Sequence, residues 1–82
     1  MKKRTACITG ASSGIGREMA KKLSALGYNL ILVSRNTKAL KELAQTLDTD
    51  CEIYACDLSD GKSCIKLGRT LSKRNDIFVF IN

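Results

Sequence analysis

The sequence predicts an α/β fold with a parallel sheet, and the prediction depends on two patterns. Short apolar runs alternate with stretches in which apolar residues recur every three or four positions, the periods of buried strands and amphipathic helices. The alternation gives the element order β-α-β-α-β-α-β, in which each helix connects two parallel strands. The chain has 82 residues and no proline, so it has the length of one domain and lacks the residue that most often breaks regular elements.

Four runs of the chain are predicted to be strands. They span residues 5–9, 29–33, 52–56 and 77–81. The last run contains only apolar residues that favour strands, which is the composition of a strand buried on both faces of a parallel sheet. The sequence therefore predicts a four-stranded parallel sheet.

Three helices are predicted between the strands, each with one apolar face. The expected faces are Ile15, Met19, Leu23 and Leu26 for the first helix, Leu40, Leu43, Ala44 and Leu47 for the second, and Cys64, Ile65, Gly68 and Leu71 for the third. Gly27 is expected to end the first helix because glycine tolerates the left-handed backbone of a C-cap. The side chain of Asn36 or Thr37 is expected to cap the second helix, and that of Ser59 or Asp60 the third.

Right-handed crossover connections restrict the order of the strands. The Rossmann-like order 3-2-1-4 satisfies them, with the first two helices on one face of the sheet and the third on the other. In this order the fourth strand has a neighbour on one side only. A chain that ends on such a strand is expected to be an incomplete fold, so residues 1–82 are interpreted as a half-domain truncated after the fourth strand.

The composition is that of a soluble globular protein, with 44% hydrophobic residues and a net charge of +6. The charge is compatible with a nucleic acid, a membrane surface or a small anionic ligand as partner. The basic residues are spread along the chain, and Phe and Tyr together number only four, which favours a local anion site over nucleic acid. No stretch has the length of a membrane span.

The absence of histidine excludes a Ser-His-Asp or Cys-His mechanism and a histidine metal site within these residues. Cys7, Cys51, Cys56 and Cys64 lack the spacing of a zinc site and are interpreted as small buried thiols. Glycines and serines interrupt the apolar stretch after the basic N-terminus, before a secretory signal forms. We therefore expect a cytoplasmic protein with reduced cysteines and no metal.

The segment between the first strand and the first helix is rich in glycine and serine: Thr9-Gly10-Ala11-Ser12-Ser13-Gly14-Ile15-Gly16. Backbone N–H groups and the positive end of the helix dipole favour a phosphate at such a loop. We expect Gly10 to form a tight turn, Gly14 to let a pyrophosphate approach the backbone, and Gly16 to let the helix lie close to the sheet. The hydroxyl groups of Ser12 and Ser13 are expected to bond phosphate oxygens. The position of the loop in a β-α-β unit favours this interpretation over a purely structural turn.

The spacing of TGASSGIG, residues 9–16, resembles the cofactor loop of the short-chain dehydrogenase/reductase family. Asp57-Leu58 resembles that family's Asp-Leu or Asp-Val pair, which implies that the Asp57 carboxylate meets the adenine amino group. The final residues, DIFVFIN, resemble the strand that leads into the family's Asn-Asn-Ala-Gly segment. The resemblance covers the whole chain but only the beginning of a typical member. It implies an oxidoreductase that moves hydride between nicotinamide and a carbonyl or alcohol, with Ile15 and Asn82 also at the cofactor.

The end of the second strand, Val33-Ser34-Arg35-Asn36, predicts which nicotinamide cofactor binds. NAD sites usually carry a carboxylate here, which accepts hydrogen bonds from the ribose and repels a 2′-phosphate. Ser34 is neutral, and Arg35, nineteen positions after Gly16, provides a cation that suits a phosphate. We therefore predict NADP(H) as the cofactor, with Ser34, Arg35 and Asn36 in its site. The alternative is a solvated arginine at a strand end.

Members of the resembled family use a Tyr-x-x-x-Lys pair with a nearby serine, in which the tyrosine transfers the substrate proton and the lysine lowers its pKa. Tyr28 is followed four places on by Leu32, and Tyr54 by Leu58, so neither tyrosine matches. No residue of the chain is predicted to be catalytic, and the chain alone is expected to lack dehydrogenase activity.

Two other hypotheses stay open at this level. The chain could be a non-enzymatic module that binds a nucleotide or associates with itself, or a basic nucleic-acid-binding protein, which depends on the charge alone. The unpaired edge of strand 77–81, and the sheet face beside it that no helix covers, predict self-association, most simply as a dimer. Neither nucleic acid nor a membrane is the expected partner.

Overall fold

Parallel strands and helices alternate along the chain in a computed structural model, which describes residues 4–12, 14–57 and 59–81. The predicted roles of Ser13, Leu58 and Asn82 fall outside these residues. The strands are β1 (Thr5–Thr9), β2 (Asn29–Ser34), β3 (Cys51–Ala55) and β4 (Ile77–Ile81). The helices are α1 (Gly14–Ala25), α2 (Thr37–Gln45) and α3 (Gly61–Ser72). The predicted order β-α-β-α-β-α-β is confirmed.

The strands form one parallel sheet in the order β3-β2-β1-β4, which is the predicted order 3-2-1-4. Thr9 pairs with Val33, and Ile8 pairs with Ile81. The carboxyl ends of the central strands and of β4 therefore meet at one edge of the sheet. A shift of register between Thr5 and Ala6 interrupts the pairing of β1 with β4.

Helices cover both faces of the sheet, as predicted. On the face of α1 and α2, the buried core consists of Ala6, Ile8, Ala11, Ala20, Leu23, Leu30, Leu32, Leu40 and Leu43. On the opposite face, under α3, it consists of Cys7, Ile31, Val33, Cys56 and Leu71. The central strands send alternate residues to the two faces, which is the period of an extended chain. Each buried Leu or Ile side chain contributes about 1.5–3 kcal/mol to stability.

Three large apolar residues, and also Gly68, are exposed although they were predicted on apolar helix faces, so these predictions were wrong. Ile15 is 82% exposed, Leu26 75% and Ile65 59%. Because a helix has 3.6 residues per turn, Ile15 lies about 80° around α1 from the buried Leu23. Leu26 follows the last helical residue of α1.

In α3 the same geometry explains which residues pack against the sheet. Ile65 lies about 120° around the helix from Leu71, and Leu67 packs against the core beside Cys64 instead. Gly68, which the sequence placed on the apolar face, is exposed. The apolar face of α3 is therefore formed by Cys64, Leu67 and Leu71.

Two predicted strands differ from the structure by one residue at their bounds. β3 begins at Cys51 and ends at Ala55, so Cys56 follows the strand instead of ending it. The Cys56 N–H still donates to the Ser34 carbonyl at 3.2 Å, which keeps it close to β2. β2 includes Ser34 at its end, one residue beyond the predicted strand.

The ends of the helices confirm the predicted caps. The Asn36 side chain accepts a hydrogen bond from the Ala39 N–H at 3.1 Å and caps α2, while the Asp60 side chain accepts one from the Lys62 N–H at 3.1 Å and caps α3. Gly27 has a φ of +94° after α1, the left-handed backbone that glycine tolerates. Within the described ranges, each helix is too short and too polar to cross a membrane.

A cluster of charged side chains connects the elements at the amino edge of the sheet. Arg74 donates two hydrogen bonds to the Asp76 carboxylate, at 3.0 and 2.8 Å, and forms an ion pair with Glu52 in β3. The Thr5 hydroxyl, at the start of β1, also donates to Asp76, at 2.8 Å. These bonds tie β1 and β3 to the segment between α3 and β4.

Candidate functional site

The loop between β1 and α1 lies at the carboxyl edge of the sheet, where parallel α/β folds bind ligands. Gly10 and Gly14 have φ values of +66° and +58°, in the left-handed region that disfavours a side chain. A Cβ atom added to either residue would meet no atom within 4 Å. The backbone at both positions therefore faces open space, so a ligand can approach it closely.

Gly16 is a different kind of position. A Cβ atom added here would lie 2.5 Å from the Gly10 carbonyl oxygen and 3.2 Å from the Ala11 Cα. The predicted close approach exists, but the neighbour is the loop itself and not the sheet. Gly16 therefore lets the first turn of α1 fold back against the loop.

Two hydrogen bonds attach the loop to the end of β2, and a third fixes the Ser34 hydroxyl that makes one of them. The Ala11 N–H donates to the Val33 carbonyl at 3.3 Å. The Ser34 hydroxyl donates to the Ser12 hydroxyl at 2.9 Å and accepts from the Asn36 N–H at 3.2 Å. Ser12 and Ser34, predicted separately as phosphate and ribose contacts, are thus directly bonded to each other.

An open cleft of about 290 Å³ lies beside this loop, at the ends of β2 and β3. Its lining residues are Gly10, Ser34, Arg35, Cys56, Asp57 and Ser59. Four of the predicted site residues are brought together here. The exposed Ile15 and the other predicted residues of α1 lie outside this lining, and Asn36 uses its side chain to cap α2.

Cys56 and Ser59 line the cleft although neither was predicted as a site residue. Cys56 directly precedes Asp57 at the carboxyl end of β3, the position from which parallel strands present residues to a ligand. Ser59 follows Asp57 by two residues, a spacing typical of an aspartate that closes a turn with its own side chain. Both positions could have been predicted from their closeness to Asp57 in the sequence.

The charges of the cleft have opposite signs at its two sides. The Ser59 hydroxyl and N–H donate to Asp57 Oδ1 at 2.6 and 2.9 Å. These bonds hold the pKa of Asp57 below its ordinary value, and the charge of Arg35 acts in the same direction.

The first turn of α1 contains no acidic residue, so the positive end of its dipole faces no compensating carboxylate within that turn.

A parallel sheet in the order 3-2-1-4, with a glycine-rich loop between β1 and α1, defines the Rossmann-like class of α/β folds. Within this class, the model of the family described as short chain dehydrogenase matches residues 4–82. The chain belongs to this family of oxidoreductases.

Individual relatives and structures agree with this assignment. The chain is 43% identical over 82 residues to the very-long-chain 3-oxoacyl-CoA reductase of Kluyveromyces lactis, covering 94% of this chain and 24% of that protein. The structure of a short-chain dehydrogenase from Sphingobium yanoikuyae in complex with NADPH matches with a TM-score of 0.85 and 28% identity, over 94% of this chain and 32% of that one. The structure of an alcohol dehydrogenase from Thermococcus sibiricus, complexed with 5-hydroxy-NADP, matches with a TM-score of 0.81 and 31% identity. The match covers 96% of this chain and 36% of that one. The chain thus spans about a quarter to a third of the length of these proteins.

Proposed function

We propose that these residues form the NADP(H)-binding part of an oxidoreductase that reduces a carbonyl group or oxidises an alcohol. The observation that carries the proposal is the presence of Arg35 in the cleft beside the neutral Ser34, where NAD sites usually have a carboxylate. A guanidinium group suits a 2′-phosphate because it is always charged and donates two parallel hydrogen bonds.

The residues around the cleft have the chemistry that a dinucleotide needs. The open backbone at Gly10 and Gly14 and the N-terminus of α1 suit the pyrophosphate. Asp57 offers a hydrogen-bond acceptor to the adenine amino group at the other side of the cleft. The proposed binding set is completed by Ser12, Ser13, Ile15, Gly16, Asn36, Leu58 and Asn82.

The relatives support both the cofactor and the chemistry. The two solved structures are complexes with NADPH and with 5-hydroxy-NADP. The Kluyveromyces relative is named as a reductase of a 3-oxoacyl group, which is a ketone, and the Thermococcus protein as an alcohol dehydrogenase. We extend the nicotinamide cofactor and the carbonyl or alcohol substrate class from these proteins to this chain.

The bound cofactor would supply or accept the hydride, and the residues of this chain would bind and orient it. The 82 residues contain no Tyr-x-x-x-Lys sequence, so they lack the proton-transferring pair that the family resemblance implies. We therefore expect the 82-residue chain to bind the cofactor without dehydrogenase turnover, measured as NADPH consumption with a panel of ketones and aldehydes. Turnover in purified protein that disappears when Gly14 and Gly16 are both replaced by Val would contradict this.

The cofactor preference is tested by titrating NADPH and NADH separately into the wild-type chain and its variants, with nicotinamide fluorescence as the signal. Arg35→Ala removes a charged hydrogen bond worth about 1.5–3 kcal/mol, so the NADPH Kd should rise about 10–100-fold while the NADH Kd changes little. Ser34→Asp should move the preference toward NADH, because a carboxylate repels the 2′-phosphate.

Arg69→Ala is the matched control for this experiment. It removes the same charge from an exposed residue in the last turn of α3, away from the carboxyl edge of the sheet. We expect it to leave the ratio of the two Kd values unchanged. Equal losses of NADPH and NADH affinity in Arg35→Ala would overturn the proposed cofactor preference.

We also propose a cytoplasmic location, which is supported by the thiol state of the cysteines. Cys7, Cys51, Cys56 and Cys64 are thiols in the structure, the state that a reducing compartment maintains. Fractionation of cells that produce the tagged protein should recover it with cytosolic marker enzymes. Recovery in a secreted fraction would contradict the proposal.

We propose, in addition, that the chain associates with a second copy through β4. This strand forms an edge of the sheet, and Phe78 and Phe80 on it are 61% and 65% exposed. An edge strand with exposed apolar side chains can pair with the same strand of another molecule. The oligomeric state in solution tests this proposal.

A further inference from the structure

Two cysteines lie together at the wall of the cleft. Cys56 lines the cleft just after β3 and is only 4% exposed. Cys64, in the first half of α3, is half-buried and packs against the same cluster of buried residues. The two side chains are close enough to interact, because Cys64, after burial, helps to raise the pKa of the Cys56 thiol. Cys64 Sγ also lies 3.9 Å from the carbonyl oxygen of Asp57, the residue next to Cys56.

The other two cysteines differ from this pair in their place in the fold. Cys51 packs on the opposite face of the sheet, with the core under α1 and α2. Cys7 belongs to the same buried cluster as Cys56, but it lies inside the central strand β1 and is 1% exposed. The face of the sheet therefore distinguishes the pair from Cys51, and the place inside the central strand distinguishes Cys7 from the pair.

We propose that Cys56 and Cys64 are a redox-active pair, which a low-molecular-weight disulfide such as glutathione disulfide converts reversibly into a disulfide that hinders binding in the cleft. The pairing of the thiols stands on the structure alone. The effect on the cleft rests on the proposed function.

The oxidation proceeds by two exchange steps. The Cys64 thiolate attacks one sulfur of glutathione disulfide, forms a mixed disulfide and releases one glutathione thiolate. The Cys56 thiolate then attacks Cys64 Sγ, and the second glutathione thiolate leaves. The two protein thiols lose two electrons and two protons, and the oxidant becomes two glutathione thiols.

The order of the two steps follows from exposure. Cys64 is partly open to solvent, so the oxidant meets it first. Cys56 is shielded, and its burial, followed by the nearby Cys64, raises the pKa of its thiol. Cys56 is therefore suited to be the second, resolving thiol and not the first nucleophile.

The disulfide would change the cleft because its sulfurs must come closer. A disulfide holds them at about 2.05 Å, well inside the distance at which two unbonded sulfur atoms touch. Cys56 is held to β2 by its N–H bond to the Ser34 carbonyl. The start of α3 and the turn of Asp57 and Ser59 must therefore shift, and both turn residues line the cleft. By reciprocity, a ligand that favours the present cleft also opposes the oxidation.

The pairing is tested by peptide mapping of the chain after incubation with glutathione disulfide, alkylation and tryptic digestion. Cys51 and Cys56 share the tryptic peptide 42–62, and Cys64 lies in peptide 63–66. We expect these two peptides to be linked, with fragmentation placing the bond on Cys56 and with Cys7 alkylated. Alkylation of all the cysteines, or a link placed on Cys51, would overturn the pairing.

Two comparisons show whether the fold selects the pair. Cys51→Ser should keep the link, whereas Cys56→Ser should lose it. The wild-type chain unfolded in urea should give a mixture of links, which makes the test independent of whether Cys56→Ser folds. The same distribution of links in native and unfolded chain would overturn the proposal.

The effect on the cleft needs a separate measurement with NADPH. We expect saturating NADPH to slow the formation of the link several-fold, and the oxidised chain to bind NADPH several-fold more weakly until dithiothreitol restores it. Unchanged binding after oxidation would overturn the coupling. A reduced chain that forms the link but never binds NADPH would reject the proposed function and leave the thiol pair intact.

Discussion

At Gly16 the absence of a methyl group allows the loop and α1 to pack together. In Gly16→Ala the new Cβ would lie 2.5 Å from the Gly10 carbonyl oxygen, and this neighbour is backbone that cannot rotate away. We expect the free energy of unfolding to fall by about 1–3 kcal/mol, as measured by urea denaturation. The NADPH Kd should rise at least about tenfold, since one decade corresponds to about 1.4 kcal/mol and the displaced loop is the proposed phosphate site.

Gly68→Ala is the control for this substitution. A Cβ atom at Gly68 meets no atom within 4 Å, and the residue lies inside α3. Alanine is favoured over glycine in a helix, so the variant should gain about 0.5–1 kcal/mol and keep its NADPH affinity. Similar effects of the two substitutions would show that the contact at Gly16 does not limit the loop.

Among the secondary-structure elements, the start of α2 gives a prediction that distinguishes an effect on folding stability from an effect on cofactor binding. Asn36 was predicted both as a cap and as a cofactor residue, and its side chain is used as the cap. Asn36→Ala should lower the free energy of unfolding by about 1 kcal/mol. Asn36→Asp should keep the cap. It should weaken the binding of NADPH more than that of NADH, because the substitution adds a negative charge next to Arg35. A stable Asn36→Ala variant would contradict the role of the cap.

The charged cluster that ties β1, β3 and the approach to β4 predicts how stability depends on pH. The hydrogen bonds from Arg74, and then that from Thr5, hold the pKa of Asp76 well below its ordinary value of 3.8. Because the folded state favours the ionised form, this stabilisation is complete at neutral pH. It is lost as the pH falls from about 5 toward the lowered pKa of the folded state.

Asp76→Asn should therefore lower the free energy of unfolding at pH 7. It should also make this free energy decrease less as the pH falls. The Asp76 side chain is 35% exposed, so solvent screening limits the loss at pH 7 to on the order of 1–2 kcal/mol. Urea denaturation from about pH 7 down to about pH 2 measures both quantities, because the loss begins near pH 5 and continues toward the lowered pKa. Asp48→Asn, an exposed aspartate between α2 and β3, is the control. An unchanged acid slope in Asp76→Asn would contradict the role of the cluster.

At the scale of the whole molecule, the features that the sequence predicted are those set by residues close together in the chain. Element order and helix caps depend on neighbouring residues, and the crossover rule then leaves few arrangements, so the sheet order was accessible. The exposure of Ile15 and Ile65 was missed because spacings of four and three residues only approximate the helix period. The contacts of Ser34 with Ser12 and of Cys56 with Cys64 join separate segments of the chain, so no local sequence pattern predicts them. Of the cleft residues, Cys56 and Ser59 were not predicted, but both could have been inferred from their nearness to Asp57 in the sequence.

The open edge at β4 gives the prediction for the assembly. β4 pairs with β1 on one side, and Phe80 lies opposite Cys7 in the register yet remains 65% exposed, because α3 covers Cys7 and not Phe80. We expect light scattering at tens of micromolar to give twice the mass of the chain, and Phe80→Lys to give the mass of a monomer, since a charge on an edge strand opposes pairing. Leu26→Lys is the matched control, because it replaces a side chain that is 75% exposed but lies at the turn after α1. A wild-type chain that stays monomeric, or a Leu26→Lys variant that dissociates as Phe80→Lys does, would exclude β4 as the specific contact.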